Sequence, residues 1–111
     1  MKSVVTSHGT YVTGDELANA VALYGLALAK AHEVDWIAFP AVDADGTVER
    51  VEMRIGWLVD FAVISRTDGR AEFTDAATSD DLLLRARTLD ERRQWLAEPQ
   101  APSWLAWEHF L

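Results

Sequence analysis

The sequence predicts an α+β domain in which an antiparallel sheet of about four or five strands is packed by one long N-terminal helix and by C-terminal helices. Seven apolar residues at a spacing of two indicate one long strand face that points into a core; they are Val51, Met53, Ile55, Trp57, Val59, Phe61 and Val63. Residues 15–32 carry apolar side chains at helical spacing, and turn-forming residues separate the other extended segments.

The composition indicates a single globular domain spanning residues 1–111. Compact domains most often hold roughly 100–150 residues, which this chain matches. Half of the residues are hydrophobic and five are Trp, which is enough to fill a core. Lysine is scarce beside Ala, Asp and Arg, a bias that we associate with GC-rich bacterial or phage genomes.

The chain is acidic, with a formal net charge of −8. This charge disfavours non-specific binding to nucleic acid or to an anionic membrane surface, because both would be repelled at long range. It favours a cationic partner instead. The chain has no cysteine for a disulfide or a thiolate zinc site. No apolar segment approaches the roughly 20 residues that cross a bilayer, so we expect a cytoplasmic protein.

The N-terminal part predicts a hairpin followed by a helix. Apolar extended residues flank the turn-prone segment 7–10. Thr13 and Glu16 have the spacing of a capping box, which predicts a helix from about Asp15 to His32. Its core-facing residues are Leu17, Val21, Tyr24, Leu28 and Ala31. A neighbouring strip of small residues would let the helix lie close to a sheet; it consists of Ala18, Ala22, Gly25 and Ala29.

A long hairpin is predicted from Val34 onward. Pro40 has no amide donor, so its strand should lie at an edge or bulge at that point. Segment 43–46 has the composition of a hairpin loop closed by Gly46 in a left-handed conformation.

The returning strand of this hairpin is too long to be continuous. Residues 48–66 would extend about 60 Å, whereas a domain of this size is about 35 Å across. Gly56 is the expected place for a break. The half after Gly56 is apolar on both faces, which predicts the central strand of the sheet.

The C-terminal part predicts a short returning strand and helices. A turn at 66–70 precedes the strand at 71–74. Residues 78–80 can cap a helix, and a second capping pattern favours a break in that helix at Thr88. Residues 103–110 could add a last helical turn or two.

Three aromatic residues near the C-terminus are candidates for partner binding. Trp104, Trp107 and Phe110 are three residues apart, so they share one face of a helix and could anchor in the groove of a partner. The alternative is that they fold back over an open face of the sheet.

Asp60 is the polar residue of a second candidate site. In a central strand its ionised carboxylate is costly unless it is paired, with Arg54 or Arg66 as structural partners. Asp60 could instead be the polar element of a ligand pocket between the sheet and the C-terminal helices, lined by Trp36, Trp57, Phe61 and Trp95.

No pattern predicts a metal, a cofactor or a nucleophile. His8, His32 and His109 have no ligand spacing, and segment 43–46 lacks the further ligands of a calcium loop. No serine lies in a G-x-S-x-G motif.

These observations predict a non-catalytic protein-interaction module, such as a small acidic adaptor, inhibitor or immunity-type protein. It would bind a protein partner or a second copy of itself, through a sheet edge or the aromatic surface, and neither nucleic acid nor membrane. The alternative is a small-molecule-binding protein or enzyme that uses the pocket around Asp60. A third hypothesis, an acidic mimic of nucleic acid, is less favoured because the acidic residues are dispersed.

Overall fold

A computed structural model describes residues 1–43, 45–67 and 72–97 of the chain. In chain order the elements are β1 (Lys2–Thr6), β2 (Gly9–Thr13), α1 (Asp15–Lys30), β3 (Val34–Val42), β4 (Val48–Gly56), β5 (Phe61–Ser65) and α2 (Ala76–Ala97). The predicted α+β class is confirmed, with five antiparallel strands, one long N-terminal helix and one C-terminal helix.

The sheet has the strand order β4-β3-β2-β1-β5 and consists of two halves. β1 pairs along its whole length with both β2 and β5, and β3 pairs along its whole length with β4. The two halves meet at the single pair of Val12 and Val42. Through this pair, one row of neighbouring residues crosses all five strands; it consists of Val48, Val42, Val12, Ser3 and Ile64.

The sheet is strongly curled. From the row through Val42, β3 and β4 extend in one direction and the other three strands extend in the opposite one. A flat sheet in this register would place Gly56 and Phe61 about 36 Å apart along the strands. The chain that joins them reaches only about 19 Å, so β4 and β5 must bend toward each other. Residues of β4 and β5 accordingly approach the same point of α1. A Cβ atom placed on Gly25 of α1 would lie 2.8 Å from Phe61 Cε1 in β5 and 4.0 Å from Ile55 Cδ1 in β4.

α1 lies on the concave side of the sheet and contributes the centre of the core. Four of its predicted core residues, Leu17, Val21, Tyr24 and Leu28, are buried. The core cluster joins them to inward-facing residues of β3, β4 and α2, which are Ile37, Phe39, Ala41, Val51, Ile55, Leu82, Ala86 and Leu89. The two faces of β3 differ in burial, because Phe39 is fully buried while Trp36 is 63% exposed.

α2 is one continuous helix, so the predicted break at Thr88 is wrong. Leu82, Ala86 and Leu89 lie on one face of α2 and are all buried in the core cluster. The helix continues past Thr88 because burial of this face stabilises it more than a cap at Thr88 would stabilise a break. The short strand predicted at 71–74 is not formed by the described residues 72–74.

The capping box predicted for α1 is also wrong. The residue that caps α1 is Gly14, which has no side-chain hydrogen bond to the helix. Thr13 is fully buried, and its hydroxyl donates a 2.8 Å hydrogen bond to the carbonyl oxygen of Pro40. Glu72 Oε1 accepts a hydrogen bond from the Asp15 amide at the start of the helix instead. A distant carboxylate therefore does what the local one was expected to do.

The predicted break at Gly56 is confirmed. β4 ends at Gly56, which has φ 121°, a left-handed conformation that favours glycine. The expectation that the following half forms a central strand is wrong, because β5 lies at an edge of the sheet. Trp57 and Val59 belong to the β4–β5 connection rather than to a strand, and Trp57 is 43% exposed.

The hairpin between β3 and β4 closes as predicted. Gly46 has φ 85°, and its amide donates to the carbonyl of Asp43. The carboxylate of Asp43 accepts hydrogen bonds from the amides of Asp45 and Thr47. Asp43 therefore stabilises a tight turn, as Asx residues commonly do.

A buried hydrogen bond of α1 predicts a loss of stability at alkaline pH. Tyr24 donates a 2.6 Å hydrogen bond to Asp35 Oδ2, which also lies 3.3 Å from Arg85 Nη1. Burial, followed by the interaction with Asp35, raises the pKa of Tyr24 from 10 to about 12. Because the unfolded chain loses the Tyr24 proton first, we expect the free energy of unfolding to fall as the pH rises from 10 to 12.

The variant Tyr24→Phe tests this expectation. In this variant the free energy of unfolding should lack the fall between pH 10 and pH 12 that is due to Tyr24. At pH 7 its free energy of unfolding should be about 1–2 kcal/mol lower than that of the wild type. Urea unfolding between pH 7 and pH 12 measures both effects. Tyr11→Phe is the control and should keep the decline, since Tyr24 is intact. Equal pH profiles for wild type and Tyr24→Phe would contradict the assignment.

Candidate functional site: a cleft along a free sheet edge

A cleft of 590 Å³ opens where the curled sheet leaves β4 and β5 unpaired with each other. We call it the edge cleft. One wall is the turn between β1 and β2, with residues 6–8 and Tyr11. The opposite wall is the β3–β4 pair, with Trp36 and residues 52–54, and residues 58–60 of the β4–β5 connection close one end. Its volume lies within the range of roughly 300–1,000 Å³ typical of ligand sites.

The edge cleft follows the free edge of β4. Glu52 and Arg54 project from one face of this strand and Met53 from the other, yet all three line the cleft. A space that is contacted by both faces of one strand lies along its edge. β3 occupies the other edge of β4, so the cleft follows the edge that has no partner strand among the described residues.

Main-chain polar groups of β4 face this cleft. The Thr13 hydroxyl bonds to the carbonyl of Pro40, which shows that the main-chain groups of Pro40 point toward β2. Pro40 is paired with Arg50 in the β3–β4 ladder. When one residue of an antiparallel pair points its main-chain groups away from its neighbour, the other residue does the same on the opposite side. The N–H and C=O groups of Arg50, Glu52 and Arg54 therefore point outward. Within the described residues, no hydrogen bond satisfies them.

The side chains along this edge alternate in charge. Arg50, Glu52 and Arg54 are all exposed, and Arg50 Nε lies 3.8 Å from Glu52 Oε1. Asp60 adds a second carboxylate at the end of the cleft. In the part of the chain that the structure describes, neither Arg54 nor Asp60 forms a hydrogen bond or an ion pair through its side chain. Both charges are thus available to a ligand.

The turn after β4 presents exposed apolar side chains beside the cleft. The Val59 amide donates to the carbonyl of Gly56, which makes Leu58 the third residue of a four-residue turn. Leu58 has φ 63° at this position, where glycine or asparagine is normally required, and it is 80% exposed. Trp57 stacks on His32 with ring centroids 4.8 Å apart. We call these three residues, His32, Trp57 and Leu58, the tip.

His32 of the tip also has left-handed backbone, with φ 57°. α1 was expected to continue to His32 but ends at Lys30. The amides of His32 and Glu33 donate to the carbonyls of Ala29 and Leu28, which is the pattern of a Schellman cap. The non-glycine residues with positive φ in the described part of the chain, His32 and Leu58, thus both flank Trp57.

The structure separates the residues that were predicted to line one ligand pocket. Trp36 and Asp60 both line the edge cleft. Trp57 stacks on His32, Phe61 packs against α1, and Trp95 is a 65% exposed residue of α2. Asp60 is exposed and precedes β5, so it is not the buried strand carboxylate that the alternating pattern suggested.

A second cavity, of 430 Å³, lies between α2 and the β3–β4 pair, where the alternative pocket was expected. Of the five residues predicted for that pocket, only Trp36 lines it. Arg85 lies in its wall and is already engaged by Asp81 at 3.0 Å and by Asp35 at 3.3 Å. These ion pairs, together with Tyr24, raise the pKa of Arg85 against the opposing effect of burial. Its charge is therefore committed within the fold.

Trp104, Trp107 and Phe110 lie outside the described residues, so their role in partner binding stays a prediction. Within residues 1–43, 45–67 and 72–97, no three His, Cys, Asp or Glu side chains form a metal-binding group. No helix in the same ranges is long and apolar enough to cross a membrane. Comparisons with protein-family models, with characterised proteins and with solved structures found no match for this chain.

The edge cleft brings several kinds of binding group together. It combines outward-facing main-chain donors and acceptors, apolar side chains and unpaired charges of both signs. His8, Ser7 and Asp60 also line it.

Sequence reasoning missed Leu58, Glu52 and Arg54 as site residues. Leu58 falls in the strand predicted after Gly56, and Arg54 enters the sequence analysis only as a structural partner for Asp60. The available signal was the break at Gly56, because residues that follow the end of a strand belong to a connection, and connections run over the surface.

Proposed function

We propose that this protein is a non-catalytic protein-interaction module that binds a partner protein at the edge cleft and the tip. The observation that carries the proposal is Leu58, a large apolar side chain held in solvent by a left-handed backbone at the end of the cleft. A non-glycine residue in that conformation costs about 1–2 kcal/mol. Because Leu58 is 80% exposed, burial within the monomer does not offset this cost.

Exposed aromatic residues beside Leu58 support the same conclusion. Trp36 is 63% exposed and lines the same cleft as Leu58, and Trp57, which precedes Leu58 in the chain, is 43% exposed. Tryptophan is enriched among the few residues that supply most of the binding energy at protein interfaces. Backbone strain beside such residues is typical of binding sites. The acidic net charge adds long-range attraction for a cationic partner.

A small-molecule-binding protein is the second candidate function. It is supported by the location of Trp36 and Asp60 in one cleft whose volume would suit a ligand. The two candidates differ in what binding requires. A small ligand would depend mainly on Asp60 and Trp36, whereas a protein partner would also depend on Leu58, which lies at the end of the cleft and is 80% exposed.

The variant Leu58→Gly is expected to lose partner binding while the fold stays intact. Glycine relieves the left-handed strain, so the free energy of unfolding should be unchanged or rise by up to about 1 kcal/mol. Loss of a central apolar anchor should weaken partner binding by at least about 10-fold. The full-length protein and the variant are immobilised, bound proteins from the source cells are quantified, and unfolding is followed in urea.

Leu84→Ala is the matched control. Leu84 is 54% exposed on α2 and does not line the edge cleft, so this variant should retain the partner. If Leu58→Gly lowers the unfolding free energy by more than about 1 kcal/mol, Leu58 is structural and the proposal loses its basis. If Leu58→Gly retains all bound proteins while Asp60→Asn and Trp36→Ala abolish stabilisation by a small molecule, the second function is correct.

A further inference from the structure

We infer that the partner contributes an extended segment that adds to β4 as an antiparallel strand, with an acidic, a basic and an acidic side chain facing Arg50, Glu52 and Arg54. This inference rests on the proposed function and specifies its partner. Three features of the described residues carry it: the unpaired main chain of β4, the order of charges along it, and the wall opposite the strand.

The main chain of β4 provides the binding groups. Arg50, Glu52 and Arg54 each offer one N–H and one C=O at the free edge of β4, with no partner among the described residues, and Glu52 and Arg54 line the edge cleft. Six unpaired groups in a row form the template that an incoming strand requires. A strand in the cleft would satisfy them in the same way that β3 satisfies the groups on the other edge.

The order of charges selects the sequence of the incoming strand. Residues directly opposite each other in an antiparallel pair interact by about 0.2–1 kcal/mol, and like charges are unfavourable there. The order Arg50, Glu52, Arg54 is therefore complemented by acidic, basic, acidic at alternate positions of the partner. Asp60 at the end of the cleft adds attraction for the central basic residue.

The same pattern disfavours a second copy of this chain as the occupant. Pairing two β4 strands with Glu52 at the centre places Glu52 opposite Glu52 and Arg50 opposite Arg54. Registers centred on Val51 or Met53 pair only two of the three charged positions with an opposite charge. An unrelated strand with the complementary order satisfies all three.

An incoming strand on β4 would lie between two walls of the edge cleft. On its far side the cleft is bounded by residues 6–8, and residues 58–60 close one end. An incoming strand would alternate between two environments. Its charged residues would face the side of Trp36, and its intervening residues would face Met53 and Tyr11, which favours apolar side chains at those positions.

The test uses full-length protein and synthetic peptides with blocked ends. The probe TEVKVET carries the complementary order, and TKVEVKT carries the reverse. We expect TEVKVET to shift the amide NMR signals of Arg50, Glu52 and Arg54 and to slow their hydrogen exchange. The affinity of TKVEVKT should be about two- to fivefold lower. A purely long-range attraction to a protein of charge −8 would produce the opposite order.

Two matched variations identify the strand geometry. N-methylation of the Lys and Glu amides of TEVKVET, which would bond to β4, should weaken binding by at least about 10-fold, whereas N-methylation of the Val amides should have little effect. The variant Glu52→Arg should bind TEVKVET more weakly than the wild type does. The peptide TEVEVET, which has Glu instead of Lys at its centre, should restore the affinity for this variant.

Several outcomes would overturn the inference. Equal loss from both N-methylations, or no shift at the three amides, excludes strand addition. Exchange protection of these amides before peptide is added means that the chain itself or a second copy already occupies the edge. The proposed function is tested separately, because a partner that requires Leu58 but leaves the β4 amides unprotected would uphold that function while refuting the strand.

Discussion

Replacement of Gly56 by alanine is expected to lower the free energy of unfolding by roughly 2–4 kcal/mol. Gly56 has φ 121°, a conformation that side chains other than glycine rarely adopt. A Cβ atom there would lie 2.4 Å from the carbonyl oxygen of Glu33 and 3.0 Å from Leu28 Cβ. The Glu33 oxygen is fixed, because it accepts a 2.9 Å hydrogen bond from the Trp57 amide.

Chemical denaturation of wild type and Gly56→Ala measures this effect. The control is Gly46→Ala, which also places alanine at a positive φ but has no atom within 4 Å of the new Cβ. Gly46→Ala should cost about 1 kcal/mol, from backbone strain alone. The difference between the two variants isolates the steric contribution at the end of β4. Equal costs would mean that the close approach of Gly56 to Glu33 is absent in solution.

Truncation of Phe39 to alanine is expected to cost about 3–5 kcal/mol. Phe39 is fully buried and lies opposite Val51 in the β3–β4 pair, between the sheet and the helices. Removing its ring leaves a cavity in the core and loses the free energy gained by burying the ring. Domains of this size are stable by only about 5–15 kcal/mol, so the variant should unfold at a much lower denaturant concentration.

The strand alternation around Phe39 provides its own controls. Phe39→Leu keeps most of the volume and should cost less than about 1.5 kcal/mol. Trp36→Ala removes a larger side chain from the same strand, but Trp36 is 63% exposed, so its cost should stay below about 1 kcal/mol. A larger loss for Trp36→Ala than for Phe39→Ala would reverse the assignment of the two faces of β3.

The two variants also separate fold from function. Phe39→Ala should weaken partner binding only through the population of folded protein. Trp36 lies in the wall of the edge cleft, so Trp36→Ala should weaken partner binding while the protein remains folded.

The local features of this protein could be predicted from its amino-acid sequence. Periodicity identified α1 by its stripe through Leu17 and Tyr24. The turn at Gly46 and the break at Gly56 were predicted correctly because each follows from a local constraint. The turn requires a left-handed φ, and the break is required by the length that a strand can reach. Such constraints act within a few residues and are readable from one chain.

The way in which these elements meet became apparent from the three-dimensional structure. β5 is an edge strand rather than the central one, the Thr13 hydroxyl bonds to Pro40 instead of capping α1, and Glu72 takes over at the helix start. These contacts join residues 27 and 57 positions apart. The edge cleft exists because the sheet curls around α1 and leaves one side of β4 unpaired. Periodicity reports that a face is buried or exposed, but it carries no information about which distant segment covers it.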